Sequence, residues 1–202
     1  MREILKIPFV DNPQFRIKCQ AYVSLVSHWN SVINLVSTGD VDNLLAALIR
    51  QSVKPLASEE IPPHAGVLDV GSGAGIPALP LKFARPDLKL TLLEPRRKKW
   101  LFLKRAVEEL ELDHVEVVRA RLEEVSGWED WKTSFDLITT RGTGPAPRLF
   151  PMLEPLIRPD GMCWFYKGLA GRREVRELAR QTRHLLHVQE LEKNFNLIVV
   201  QF

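Results

Sequence analysis

The chain is poor in cysteine. Its two thiols, Cys19 and Cys163, lie far apart and belong to no CxxC or Cys/His cluster, which excludes a disulfide framework and leaves a metal site without support. Both are expected as reduced thiols in packed surroundings. Long apolar runs are missing as well. No stretch approaches the roughly 20 residues of a membrane-spanning helix, and the opening MREILKIPFVDNPQF mixes charges with short apolar runs, so a cytoplasmic protein with no membrane partner is expected. Internal repeats and low-complexity tracts are absent. A net charge of +3 is too small by itself to demonstrate nucleic-acid binding. What is present, 202 residues that are 45% hydrophobic and 26% charged, suffices to bury one full core with a small appendage.

The most informative stretch is GVLDVGSGAGIPALPL, Gly66 to Leu81, with KLTLLE ending at Glu94 behind it. An apolar run closing on Asp69 reads as a buried parallel strand, and Gly71, Gly73 and Gly75 then turn the chain into a helix. Glycine suits such a loop because it takes positive φ freely and lets the backbone approach a ligand. Glu94 falls where the second strand of a doubly wound sheet ends, and a carboxylate there accepts the hydroxyls of a ribose. The dinucleotide fingerprint needs a third small residue at position 76, but Ile76 and Pro77 stand there. The DxGxGxG pattern, with Asp69 as its acid, instead resembles S-adenosylmethionine methyltransferases; a sulfonium cation without a pyrophosphate favours a nearby carboxylate over a helix N-terminus.

Charge is clustered although its sum is small. Arg96, Arg97, Lys98 and Lys99 form a run two residues past Glu94, beside the expected cofactor loop. Such clusters bind phosphate backbones, and four cations at the positive end of a helix are otherwise disfavoured; the alternative is a solvated helix start. Arg172, Arg173, Arg176, Arg180 and Arg183 alternate with Glu174 and Glu177 and read as an exposed helix face.

The rest of the chain alternates strands and helices. Strands are expected at Val115–Ala120, Phe135–Thr140 and GMCWFYKG, and in a closing pair, HLLHVQELE and FNLIVVQF, around Lys193 and Asn194. A short or kinked helix over Pro147–Ile157 carries Pro151 and Pro155, and an Arg-rich helix begins near Glu174. Before Ser58 two or three amphipathic helices are expected, with Tyr22, Leu25, Val26 and Trp29 on one face, Leu44, Leu45, Leu48 and Ile49 on another, and a cap at Asp40 or Asp42. The segment SEEIPPHAG places a boundary near Glu60. Trp128 and Trp131 are expected to pack.

Taken together, WNxxxNL (Trp29, Asn30, Asn34, Leu35), DVGSGAGIPALPL, LLEPRRKKWLFL, RARLEEV, FDLITTRG and FYKG resemble, in the same order, the motifs of the RsmG (GidB) family, ribosomal RNA small-subunit methyltransferase G. The similarity runs from about Tyr22 to the C-terminus. It implies an α/β fold: a Rossmann-like class I S-adenosylmethionine-dependent methyltransferase domain over residues 60–202 with a small N-terminal helical extension over residues 1–59. It implies methylation of N7 of a guanine in 16S ribosomal RNA, with that RNA or a small ribosomal subunit precursor as partner; a monomer without a metal is expected. It also implies a cofactor lying against Gly71 and Ile76, Leu122 and Glu123 beside the adenine, and Arg141 at the rim.

The chain departs from the family's pattern in four places. Glu94 replaces an Asp, Thr140-Arg141-Gly142 replaces SRA, Leu48 to Ser52 replaces HxxDS, and Ala78 replaces a Gly. The chemistry asks little of side chains, since guanine N7 offers a free lone pair and needs no general base. No catalytic base is therefore expected, and Arg141 and Lys167 are candidates for orienting the guanine or its phosphates. A methyltransferase for a small molecule or protein, and a noncatalytic RNA-binding relative, remain the alternatives.

Overall fold

The structure, a computed structural model, describes residues 12–37, 39–169 and 171–202. Residues 1–11, most of the segment read for a leader, lie outside it, as does the side chain of Arg172.

The central strand β1 (Gly66–Val70) pairs in parallel with β2 (Lys89–Leu93) and β4 (Phe135–Arg141). Strands β3 (Val115–Val118) and β5 (Ile157–Lys167) extend the parallel sheet, and the hairpin of β6 (Leu185–Glu192) and β7 (Phe195–Gln201) completes it in the order β3-β2-β1-β4-β5-β7-β6, with β7 antiparallel to β5. The apolar runs reflect burial on both faces. Along β1, Val67 joins one core and Leu68 and Val70 the other. The first core packs α1 (Pro13–Asn30), α2 (Val41–Val53), α3 (Ala78–Ala84) and α4 (Arg97–Glu109) on the sheet; the second packs α5 (Leu122–Val125), α6 (Ala146–Leu153) and α7 (Gly171–Gln181). This is the α/β architecture expected.

Local chemistry explains the element ends. The Asn12 side chain accepts from Gln14 N–H at 2.8 Å with Pro13 in the first helical turn, and Asp40 accepts from Asn43 N–H at 3.1 Å, so Asp40 is the cap of α2. Helix α4 begins with no side-chain cap and no acid in its first turn. Asn194 turns the β6–β7 hairpin at φ 65°, a left-handed conformation Asn tolerates.

Several boundaries differ from those expected. Strand β3 stops at Val118 because its partner stops at Leu93. Strand β5 starts at Ile157, since its register with β4 shifts between Phe135 and Leu137 and absorbs Asp160 in a left-handed conformation. Helix α6 ends at Leu153, two residues after Pro151, in a tight turn over Glu154–Leu156. Helix α7 starts at Gly171, and its described Arg173, Arg176 and Arg180 are exposed. Trp131 packs edge-on against Phe135 and Trp128, with ring centroids at 5.4 and 5.0 Å.

The helices before the boundary near Glu60 share the first core with the sheet. Tyr22, Val26, Leu45 and Ile49 are buried there with Phe83, Phe102, Trp164 and Val199. Both cysteines are buried free thiols.

Candidate functional site

The carboxyl ends of β1 and β4 lie side by side at the point where chain order reverses, and a cavity of about 620 Å³ opens there. Its floor is the loop after β1. Gly71 and Ser72 donate their N–H groups to the Leu93 carbonyl at 2.8 and 3.1 Å, and Gly75 N–H donates to the Ser72 carbonyl at 2.6 Å. Positive φ at Gly71 (71°), Gly73 (57°) and Gly75 (86°) makes the loop zigzag.

The three glycines face different surroundings. A Cβ at Gly71 would collide with the Thr143 side chain across the cavity floor, and one at Gly75 would meet Leu79 and Leu103 inside the core. A Cβ at Gly73 would have nothing nearer than the Gly71 carbonyl at 3.7 Å and Lys99 Nζ at 3.8 Å. Gly73 is therefore the bare backbone turned toward open space, whereas Gly75 is required by packing.

Glu94 is buried against this loop, its Oε2 accepting from Gly73 N–H and its Oε1 from Arg96 N–H, both at 2.9 Å. Each oxygen keeps a lone pair for a ligand hydroxyl. Arg96 and Lys99 of the basic run line the cavity, while Arg97 and Lys98 face a neighbouring groove. Arg121, unforeseen in the sequence, lines the cavity; Leu122 turns into the second core and Glu123 is exposed, because α5 starts at that point and its apolar face packs downward. Ile76 lines the cavity as well.

Arg141 closes the opposite wall. Its Nη2 donates to Gln51 Oε1 at 2.5 Å, and Gln51 Nε2 donates to Glu192 Oε2 at 2.7 Å. The guanidinium lies 4.5 Å from the Phe195 ring centroid and 5.9 Å from that of Tyr166. Its Nη1 is buried without a partner, as is Thr143 Oγ1, and burial lowers its pKa to about 10. Lys167 does not reach the cavity: its ammonium donates to the Gly144 carbonyl and pairs with Glu174 at 3.0 Å, tying the loop after β4 to α7.

Two residues act on the loop from beneath. Tyr22 of α1 donates its hydroxyl to the Ala74 carbonyl at 2.6 Å, in full burial. Losing this bond strands a buried carbonyl, so Tyr22→Phe is expected to lower stability by about 1 kcal/mol and weaken ligand binding at the loop several-fold, read by denaturant melts and calorimetry. A Tyr22→Phe protein with wild-type affinity would show that the loop holds its shape without α1.

Asp69 is 1% exposed beneath the loop rather than on the cavity surface. Thr139 donates to its Oδ1 at 2.6 Å and its Oδ2 has no partner. Burial raises its pKa to about 6 from an ordinary 3.8, against the opposing hydrogen bond from Thr139. The native state thus binds this proton more tightly than the unfolded chain. The stability it contributes is complete below about pH 3.8 and is lost as pH rises through 6, a change of about 3 kcal/mol. Asp69→Asn is expected to gain on the wild type by about that amount between pH 4 and pH 7 in urea melts. Parallel stability curves would refute the assignment.

Among the described residues no group of three or more His, Cys, Asp or Glu side chains could hold a metal ion, and no helix is long and apolar enough to cross a membrane.

Residues 16–198 match the family model of rRNA small subunit methyltransferase G. The chain is 37% identical to the ribosomal RNA small subunit methyltransferase G of Moorella thermoacetica, over 80% of this chain and 67% of that protein. It is 36% identical to the protein of the same name in Thermobifida fusca, over 84% and 70%, and 33% identical to that of Halorhodospira halophila, over 86% and 79%. Solved structures with the same fold include a SAM-dependent methyltransferase from Aquifex aeolicus, at a TM-score of 0.59 and 18% identity over 74% of this chain and 88% of that one. Another is Aeropyrum pernix fibrillarin with natively bound S-adenosyl-L-methionine, at 0.56 and 12% over 78% and 74%.

Proposed function

The chain belongs to the rRNA small subunit methyltransferase G family, and on that premise we propose that it transfers the methyl group of S-adenosylmethionine to N7 of a guanine in 16S ribosomal RNA. One observation carries the reading at the level of residues: the cavity at the strand-order reversal joins a bare backbone at Gly73, a buried carboxylate at Glu94 and a guanidinium at Arg141 that meets only a neutral amide.

These groups fit the cofactor. Its adenosine would lie on Gly71 to Gly73, its ribose hydroxyls would bond the free lone pairs of Glu94, and its carboxylate would pair with the Arg141 guanidinium on the cavity wall. When bound, the cofactor supplies a methyl group that the guanine N7 lone pair attacks as the carbon–sulfur bond breaks and sulfur keeps the electron pair. The protein's contribution is placement, which is worth roughly 7 to 11 kcal/mol in favourable cases. The N7 atom has no proton to remove, so the chain needs no base at the site. Arg96, Lys99 and Arg121 supply positive charge at the mouth, where an RNA phosphate would arrive. A ribosomal RNA substrate supports a cytoplasmic location.

The test is incubation of the purified protein with methyl-labelled S-adenosylmethionine and either 16S RNA or small subunits from cells lacking the protein, followed by mapping of the labelled nucleotide. A single N7-methylguanine is expected. Label on another atom, or on a small molecule with RNA untouched, would overturn the reading.

A further inference from the structure

Beside the cofactor cavity a second depression of about 420 Å³ runs between the turn after α1 and the first turn of α4. One wall is Val32, Ile33 and Asn34; the other is Arg96 to Lys99. We infer that this groove binds the single-stranded RNA flanking the target base, phosphates on Arg97 and Lys98 and a base face on Val32. The inference rests on the RNA reading above and extends it to a surface.

The apolar wall is built rather than loose. Val32 and Ile33 N–H groups both donate to the Trp29 carbonyl at 2.9 Å, and the Asn30 side chain accepts from Leu35 and Val36 N–H at 2.9 and 3.0 Å. Trp29 is anchored edge-on against Phe102 of α4, with centroids 6.0 Å apart. This rigid turn nevertheless leaves Val32 70% exposed, beside an exposed Asn34 whose amide can read a base edge. An exposed apolar side chain on a fixed turn suits van der Waals contact with, or wedging against, a base face.

The basic wall is uncompensated. Arg96, Arg97, Lys98 and Lys99 have no ion-pair partner among the described residues, and their position at the positive end of α4 disfavours each of them. Polyanion binding supplies the missing counter-charge. The groove is also continuous with the cavity on both sides: Arg96 and Lys99 line both, and the turn passes directly into Leu35 and Val36 of the cavity wall. A strand laid in the groove therefore leads its next nucleotide to the methyl donor. Charge complementarity and this continuity select RNA over an apolar partner.

The experiment measures binding of a guanine-containing single-stranded RNA oligonucleotide by fluorescence anisotropy across a potassium chloride series, with S-adenosylmethionine affinity read by calorimetry on the same proteins. Val32→Asp is expected to weaken RNA binding about tenfold. Arg97→Ala with Lys98→Ala should weaken it further and lower the logarithmic salt slope by about 1.4, at roughly 0.7 per phosphate of a single strand. Cofactor affinity should stay within about twofold of wild type in both. Arg176→Ala with Arg180→Ala, on α7, serves as the control patch. If the wild type binds RNA and the groove variants match it in affinity and slope, or if only the α7 pair weakens it, the groove is wrong while the methyltransferase reading stands. If the wild type binds the cofactor but no RNA oligonucleotide, the groove inference falls, and the methyltransferase reading is decided separately by labelling of 16S RNA or small subunits.

Discussion

Gly73→Val is expected to reduce S-adenosylmethionine affinity by 100-fold or more while the protein still melts cooperatively. Gly73 holds φ 57°, and its missing Cβ points to space bounded only by the Gly71 carbonyl and the Lys99 ammonium. A valine there fills cofactor volume instead of core volume. The left-handed conformation costs a β-branched residue about 1–2 kcal/mol, which lowers Tm by only a few degrees in a chain of this length. Gly75→Val provides the contrast. Its branches would enter Leu79 and Leu103, so the melting temperature should fall much further and binding should be lost with the fold. Calorimetry and thermal melts on both variants separate the two roles. A folded Gly73→Val protein that binds the cofactor normally would remove the loop from the site.

What the sequence reveals of this site is what the chain carries locally. The β1 run, the spaced glycines and Glu94 lie within thirty residues, and each signal is the residue's own chemistry: burial, positive φ, a carboxylate at a strand end. The basic run was visible for the same reason, but its division was not. All four border the groove but only Arg96 and Lys99 also reach the cavity, and no count of charges separates the two pairs. Gly75 could be recognised as a required glycine without its cause, since Leu103 comes from another element. The contacts least legible are those that cross the fold. Tyr22 reads as one more apolar position on an amphipathic helix until its hydroxyl is seen on Ala74, 52 residues away. Gln51 and Arg141 meet across 90 residues, and the strand partner of each element sets its end: β3 looked two residues longer because its apolar pattern outlasts the strand beside it. Lys167 sits at a strand end, where a ligand contact is natural, yet Glu174 claims its charge.

Arg141→Met is expected to raise the dissociation constant for S-adenosylmethionine by roughly 10- to 150-fold, the loss of charge-assisted hydrogen bonds worth about 1.5–3 kcal/mol. The guanidinium is buried on Phe195 and Tyr166 and meets a neutral amide, Gln51, with the carboxylate of Glu192 one residue further out. A pKa of about 10 still leaves it charged at pH 7, and its Nη1 has no partner. An uncompensated buried cation is costly to the free protein and useful only when an anion arrives. Methionine is shorter by the guanidinium head but keeps an unbranched apolar stem beside the aromatic rings and removes the charge, so the melting temperature of the free protein should fall by no more than a few degrees, and relief of desolvation acts to raise it. Arg141→Lys should not restore affinity, because an ammonium cannot bond Gln51 and a ligand in the same fork. Gln51→Glu is the complementary variant. A carboxylate against Arg141 neutralises it inside the free protein and should weaken the cofactor, while the lost donor to Glu192 and the repulsion between the two carboxylates offset any gain in stability. Weaker binding in both Arg141→Met and Gln51→Glu, without unfolding in either, identifies the guanidinium as the anion's partner. Wild-type cofactor affinity in Arg141→Met would assign it to the RNA or to the wall of the cavity instead.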